Sequence, residues 1–338
     1  MSFMPMNGLL LRATPPKPLA SPRSTASVGT ELRALLDGGD LDFPLPGGGR
    51  TASRWEALAE LGRRDLALAR LGEGHVDAVA ILAEAGRTPA AGALYGVWAA
   101  RSGGTGAEFD GAQLSGTVRF CSGAHVLDRA LVAAQSPDGE GHLIEVNLAG
   151  TRVHRSPDTW QAIGMDASDS GDVTFDQLPV SPDAVIGAPG WYVSRPGFAH
   201  GGIGVAAVWL GGCAAVLDSV LAELGERGRQ DEHQLAHAGA MYTVLRSAEA
   251  LLSQTAVDID ASPSLDAMRA AQLCRAAVEH AAGEILGRAP KVTGPGPMCR
   301  DRRFPQQLAD LQVYVRQHHA ERDLAALGAQ VRDMGRTR

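Results

Sequence analysis

The stretch VRFCSGAHVLDRALVAA, residues 118–134, sets a thiol, a hydroxyl and a glycine side by side at Cys121, Ser122 and Gly123. Runs that alternate like strands flank this corner. A hydroxyl next to a backbone N–H can satisfy the polar edge of a flat ligand, and a residue without a side chain lets that ligand approach the main chain closely. The same residues also suffice for a tight β-turn in which serine and glycine only bend the chain. A second polar cluster, QHHAERD at 317–323, carries imidazoles that titrate near neutrality and can move protons. Its plainer reading is a solvated helix face. The four cysteines, Cys121, Cys213, Cys274 and Cys299, stand singly with no CxxC pair, which points to reduced thiols and no metal site.

These residues need a scaffold, and composition bounds it. A chain of 338 residues with 45% hydrophobic content can bury a core across two or three packed units. A net charge of −7 with 5% aromatics leaves no basic, stacking footprint, so nucleic acid is not an expected partner. No apolar run in the sequence reads as the roughly 18 residues that a membrane span needs, and the Pro- and Ser-rich start has no signal-peptide core. The expectation is a cytoplasmic protein without a membrane partner.

Residues 1–27 read as a disordered arm, since TPPKPLASPRSTAS offers too few apolar residues to offset ordering entropy. Over 28–100 the period is helical: Leu32, Leu35 and Leu36 recur at helix spacing, a second helix starts near Trp55 with Ser53 as its cap, and Gly86 closes a third. Over 101–194 short alternating runs such as HLIEVNL, TRVHRS, DVTFDQLPV and DAVIG are bounded by Gly, Pro, Asp and Asn, as antiparallel strands are. Over 195–333 four long Ala- and Leu-rich segments have the length of bundle helices, the last running unbroken through FPQQLADLQVYVRQHHAERDLAALGAQV. The fold class is α+β: a helical module, a central antiparallel β-barrel or sandwich, and a C-terminal four-helix bundle.

That order, with GTVRFCSGAHVLDRALVAA and WQAIGMDASDSGDVTFDQLPVSPDAVIGAPG (160–190) in register, resembles the acyl-CoA dehydrogenase superfamily over about residues 50–330. The resemblance implies a flavin, FAD or alternatively FMN, with the Ser122 hydroxyl near ring atom N5. Phe120, Cys121, Ser122, Gly123, Trp160, Ala167, Ser168 and Ser170 would then surround the ring or its chain. It implies a homodimer or homotetramer, the apolar helix GGIGVAAVWLGGCAAVLD being buried on several sides. It also implies an oxidoreductase that takes an acyl-thioester-like CH–CH substrate and passes hydride to N5.

The dehydrogenases use a carboxylate to remove the proton α to the thioester. Here that position falls on His318, with Gln317 and His319 one residue away and Glu321 as a substitute. The other family location falls near Gly201, beside His200. A second branch, the flavin monooxygenases resembling dibenzothiophene monooxygenase, shares VRFCSGA- and AIGMDASDSG-like motifs and a histidine ten residues after an aspartate, which here are Asp65 and His75. In that register His75, Ser122 and His318 form a catalytic His/Ser/His set for oxygen chemistry on a small-molecule substrate. A non-catalytic scaffold with a degraded flavin site is the third reading. It rests on departures from the family: a shortened N-terminal helical domain, YGVWAARSGGTGAEFDG in place of the acyl-binding loop, and GERGRQDEHQLAHAG and ILGRAP in place of the cofactor motifs.

Overall fold

The computed structural model describes residues 10–226, 231–262 and 265–336. Residues 1–9 of the expected arm, and 227–230 within GERGRQDEHQLAHAG, lie outside them. Residues 10–24 depart from the disordered arm: Leu10 is buried in the core, and the Leu11 N–H donates to the buried carboxylate of Glu249 at 2.7 Å. A few anchored apolar and charged contacts therefore offset an ordering cost that composition alone made look prohibitive.

Three helices come first, α1 (Thr25–Asp37), α2 (Thr51–Arg64) and α3 (Leu66–Glu84). Ser24 and Ser27 form a capping box at α1. Ser53 does not cap α2, which begins two residues earlier, where the Thr51 hydroxyl and N–H both donate to Asp260 (2.6 and 2.9 Å). Asp65 caps α3 by accepting from the Leu68 N–H at 2.9 Å, and Gly86 follows its C-terminus at φ +68°.

The central sheet has eight strands: β1 (Tyr95–Trp98), β2 (Ala107–Phe109), β3 (Gln113–Cys121), β4 (Arg129–Gln135), β5 (Gly141–Asn147), β6 (Val153–Ser156), β7 (Gly171–Pro179) and β8 (Val185–Ile186). Their order is β6-β7-β3-β2-β4-β5-β8, with β1 on β4. The expected antiparallel pattern has two exceptions, because β1 and β2 both run parallel to β4. β3 and β7 carry the two sequence motifs and are hydrogen-bonded neighbours, with Cys121 opposite Gly171 and a bulge between Val118 and Cys121. The bulge turns the corner at Ser122 out of the ladder.

Helices α4 (Trp191–Ser194), α5 (Gly197–Glu226), α6 (Glu232–Ala261), α7 (Ala267–Thr293), α8 (Pro295–Arg300), α9 (Arg303–Tyr314) and α10 (Glu321–Arg336) complete the chain. By length and composition α5 could cross a membrane, contrary to the sequence expectation, yet 78% of its most apolar window is buried inside the protein, as suits a core helix. A Cβ at Gly62 would overlap the Val208 carbonyl oxygen, and one at Gly211 the Ala59 carbonyl oxygen. Glycine at both places therefore lets α2 and α5 cross in backbone contact.

The last predicted helix is broken. α9 tightens into a 3-10 turn at 315–317, His318 is extended, Ala320 is left-handed at φ +45°, and α10 starts afresh. Asp323 accepts from the His319 N–H at 3.0 Å and so stabilises the restart, while Arg275 holds the Gln317 carbonyl at 2.8 Å.

Candidate functional site

The two motif corners are stitched together before any ligand is considered. The Gly123 N–H donates to the Ser168 carbonyl (2.9 Å), the Ala124 N–H to that of Asp169 (3.2 Å), and the Asp169 carboxylate accepts from the His125 N–H (2.5 Å) and contacts its Nδ1 (3.0 Å). Gly123 sits at φ +73°, and a Cβ there would meet Leu127 at 2.7 Å and Leu71 at 3.0 Å. Its glycine thus serves the turn and its packing. Phe120 (φ +60°), Met165 (φ +60°) and Asp169 (φ +49°) are all left-handed although none is glycine. Such conformations cost roughly 1–3 kcal/mol each and concentrate at functional sites.

The second corner is docked on α9. A Cβ at Gly164 would overlap the Ala309 carbonyl oxygen, and the Met165 N–H donates to Asp310 at 2.6 Å. Behind it the Arg23 guanidinium meets Asp310 (2.7 Å), Asp65 (3.2 Å) and Asp166 (3.2 Å). Burial raises the Asp310 carboxyl to about 6 despite Arg23. One arginine thus ties the N-terminal segment, the start of α3, the second motif and α9 together.

Between the stitched corners, β1, α3 and the end of α9 lies an open cleft of about 880 Å³, within the range of roughly 300–1,000 Å³ typical of small-molecule sites. Phe120, Ser122, Trp160, Ser168 and Ser170, five of the eight residues expected around a flavin, line it. Cys121 does not: its thiol is fully buried and contacts the Val118 carbonyl at 3.3 Å, and burial raises its pKa. Gly123 and Ala167 also lie outside the lining, acting through backbone and packing.

Of the expected His/Ser/His set only Ser122 lines the cleft. His75 faces β1, is 4% exposed, and accepts the Tyr95 N–H on Nδ1 at 3.2 Å. Burial, with help from Arg33 and against Asp42, lowers its pKa to about 4. It is a neutral structural acceptor. His318 is 2% exposed and absent from the cleft lining, and burial lowers its pKa too. The helix break at 318–320 accounts for this, since it turns Gln317 and His319 toward the cleft instead. Glu321 is exposed and outside the lining, and His200 lies near Gly47.

Sequence reasoning missed Arg70. Its Nε donates to the Ser122 hydroxyl at 3.0 Å, its Nη1 pairs with Glu73 at 2.6 Å, and its guanidinium lies 6.0 Å from the Tyr314 ring centroid. Desolvation opposes its charge, but Tyr314 and Glu73 outweigh that and raise its pKa. Burial raises the Glu73 carboxyl, with Arg70 opposing. The only available signal was spacing: Arg70 follows the Asp65 cap by five residues, on the face of α3 turned to the sheet. Arg101, Arg316, Arg322, His319 and Trp98 complete the polar and aromatic wall, and no Asp or Glu lines the cleft among the described residues.

Residues 188–315 match the family model for the acyl-CoA dehydrogenase C-terminal domain. A dibenzothiophene monooxygenase of Rhodococcus erythropolis is 38% identical over 100 residues, which is 28% of this chain and 24% of that protein. The chain thus aligns with about a quarter of the length of this curated relative. Among solved structures, FMN-bound TdsC from Paenibacillus sp. A11-2 superposes with TM-score 0.72 at 18% identity, covering 90% of this chain and 95% of that one. KijD3 in complex with FMN and a dTDP-linked amino sugar gives TM-score 0.77 at 20% identity, covering 90% and 86%. At these identities the structural likeness establishes a shared fold.

Proposed function

We propose that this chain, which has the fold of the acyl-CoA dehydrogenase superfamily, is a flavin-dependent monooxygenase that holds FMN in the cleft beside Ser122 and oxygenates a small organic molecule. The lining of that cleft carries the reading: it offers hydroxyls, aromatic rings, arginines and the His319 imidazole, and no carboxylate among the described residues. A dehydrogenase needs a base within reach of the substrate carbon. His318, at the base position, is buried outside the lining, Glu73 is engaged by Arg70 at 2.6 Å, and the imidazole that does line the cleft, His319, lies 3.5 Å from the Asp323 carboxylate. Oxygenation makes no such demand. The similarity to a dibenzothiophene monooxygenase and the shared fold with FMN-bound proteins favour it.

Reduced FMN, when bound, supplies the electrons that activate dioxygen for insertion of one oxygen atom. The protein's part is positioning. Ser122, Ser168 and Ser170 would hold the polar edge of the ring, and Phe120 and Trp160 would shield it from water. Arg101, Arg316 and Arg322 provide charge for a phosphate. FMN is preferred to FAD because the segments expected to hold the second nucleotide depart from the family pattern. We extend the proposal to the surroundings: a barrel-like sheet over 101–194, a bundle over 195–333 that meets a second copy in a homodimer or homotetramer, and a cytoplasmic setting.

The test is to mix protein, chemically reduced FMN and ¹⁸O₂ with indole or dibenzothiophene as probe substrates. Incorporation of one labelled atom into product supports the reading. Anaerobic bleaching of bound flavin by acyl thioesters would replace it with dehydrogenation. Failure to bind flavin at all would favour a non-catalytic scaffold.

A further inference from the structure

The cleft is graded from mouth to floor. Arg101, Arg316, Gln317 and Arg322 are exposed at its mouth, whereas Trp98, Ser122, Met165 and Tyr314 are buried at its floor, with Arg70 half-buried among them. Most donor hydrogens on the floor are already used. Trp98 Nε1 donates to the Ser122 carbonyl at 3.1 Å. Ser168 donates to the Met165 carbonyl at 2.7 Å, so across the two 2.8 Å contacts Ser170 donates to Ser168 and Ser122 to Ser170, each hydroxyl having one hydrogen. Tyr314 is different. It is 3% exposed, and its hydroxyl has no hydrogen-bond partner among the described residues. The neighbouring Arg70 guanidinium can only donate, so the Tyr314 hydrogen is committed to nothing. A buried hydroxyl in that condition costs about 1–3 kcal/mol, and one that lines a cleft is satisfied by what binds there.

The charges behind the floor are unbalanced. Arg70 pairs with Glu73 at 2.6 Å, and Arg195 with Glu84 at 2.8 Å and Asp77 at 4.0 Å. Arg54 and Arg275 rest on main-chain carbonyls, with no carboxylate in ion-pair reach among the described residues, and Arg275 stacks on the Trp209 ring that meets Tyr314 edge-on. Asp323 is engaged by Arg322 at 3.5 Å. Four arginines thus face Glu73, Asp77 and Glu84, and burial raises the Glu73 and Asp77 carboxyls toward their neutral form. Buried charge is stable only when it is paired. We infer that the cleft floor at Arg70 and Tyr314 is a subsite for an anionic group, so that the organic molecule held beside Ser122 is a small organic acid. The inference names the substrate class of the flavin site proposed above and rests on that reading. It divides the lining into exposed arginines at the mouth for the cofactor phosphate and a buried arginine and tyrosine at the floor for the substrate.

The experiment titrates benzoate and its neutral analogue benzamide into the full chain by calorimetry at pH 8, first without FMN and then with saturating FMN. The wild-type protein should prefer benzoate by about tenfold or more, the worth of one hydrogen bond to a charged group, and FMN should leave that binding in place. Tyr314→Phe should weaken benzoate by about twofold to tenfold without lowering the melting temperature of the ligand-free protein, because the hydroxyl it removes has no partner to lose. Arg70→Met should erase the preference for benzoate over benzamide, and Tyr314→Phe decides the matter if Arg70→Met does not fold. Equal affinity for the two probes would overturn the inference, and so would benzoate binding untouched by Tyr314→Phe. Displacement of benzoate by FMN would overturn it too, by giving the subsite to the cofactor. FMN binding is read in the same samples. FMN bound without benzoate sinks this inference and leaves the flavin reading standing, whereas benzoate bound without FMN keeps the anion subsite and drops the flavin reading.

Discussion

Replacing His75 with glutamine should alter how stability depends on pH while leaving flavin binding alone. His75 is 4% exposed, accepts the Tyr95 N–H, and has its pKa moved from 6.5 to about 4, chiefly by burial and secondarily by Arg33, with Asp42 opposing. A histidine whose folded pKa is depressed binds fewer protons folded than unfolded. Its contribution is therefore fully present above pH 6.5 and is lost as pH falls through the window toward 4. Across the whole window the gap is worth about 3 kcal/mol, of which about 2 kcal/mol is already lost at pH 5. Glutamine keeps an acceptor for the Tyr95 N–H but cannot titrate. Glu73 and Asp310, whose pKa values are raised by burial, act in the opposite sense over part of the same range. They are common to both proteins and cancel in the comparison. Urea unfolding at pH 7.5 and pH 5 should therefore show the wild-type protein losing about 2 kcal/mol more than His75→Gln. Parallel losses would mean that His75 protonates freely in the folded chain, and the case for a structural rather than a catalytic role would fail.

Other expectations follow from the same geometry. Gly164→Ala should cost roughly 1–3 kcal/mol by forcing the second motif off the Ala309 carbonyl, and its denaturation midpoint should fall even without ligand. Arg23→Met strands Asp65 and Asp310, which are 9% and 3% exposed at the side chain. It should destabilise by about 3–5 kcal/mol, read by calorimetry, and an unchanged melting temperature would remove the junction role given to Arg23. Sedimentation equilibrium at micromolar concentration should give a dimer or tetramer, against which a 35.3 kDa species would count.

Much of the architecture was legible because hydrophobic period changes with element type. Leu32 and Leu35 repeat as a helix does, and HLIEVNL alternates as a strand does, so the order of helix, sheet and helix could be read directly. The pairing of β3 with β7 was legible only through motif resemblance, since register is set by long-range contacts. The break at His318 was invisible because no proline or glycine marks it. It depends on Asp323 and Arg275 capturing backbone groups from one turn away or from another helix. The site was half legible for a related reason. Ser122, Ser168 and Ser170 announced themselves as small polar residues at corners, whereas Arg70 in ALARLGEG resembles any solvated helix arginine until α3 is laid against the sheet. His75 and His318 were singled out by the register of the family resemblance, which records position along the chain and says nothing of which side of α3 or of a broken helix faces the cleft, and both lie outside its lining.

The claim on which the rest depends is that the cleft beside Ser122 is a flavin site. Fluorescence titration of FMN against the wild-type protein and Ser170→Trp, which sets an indole into the cleft, tests it most directly. A flavin site there requires saturable binding of one FMN per chain that disappears in Ser170→Trp while the variant still unfolds cooperatively. FMN bound equally by both proteins, or by neither, would contradict it.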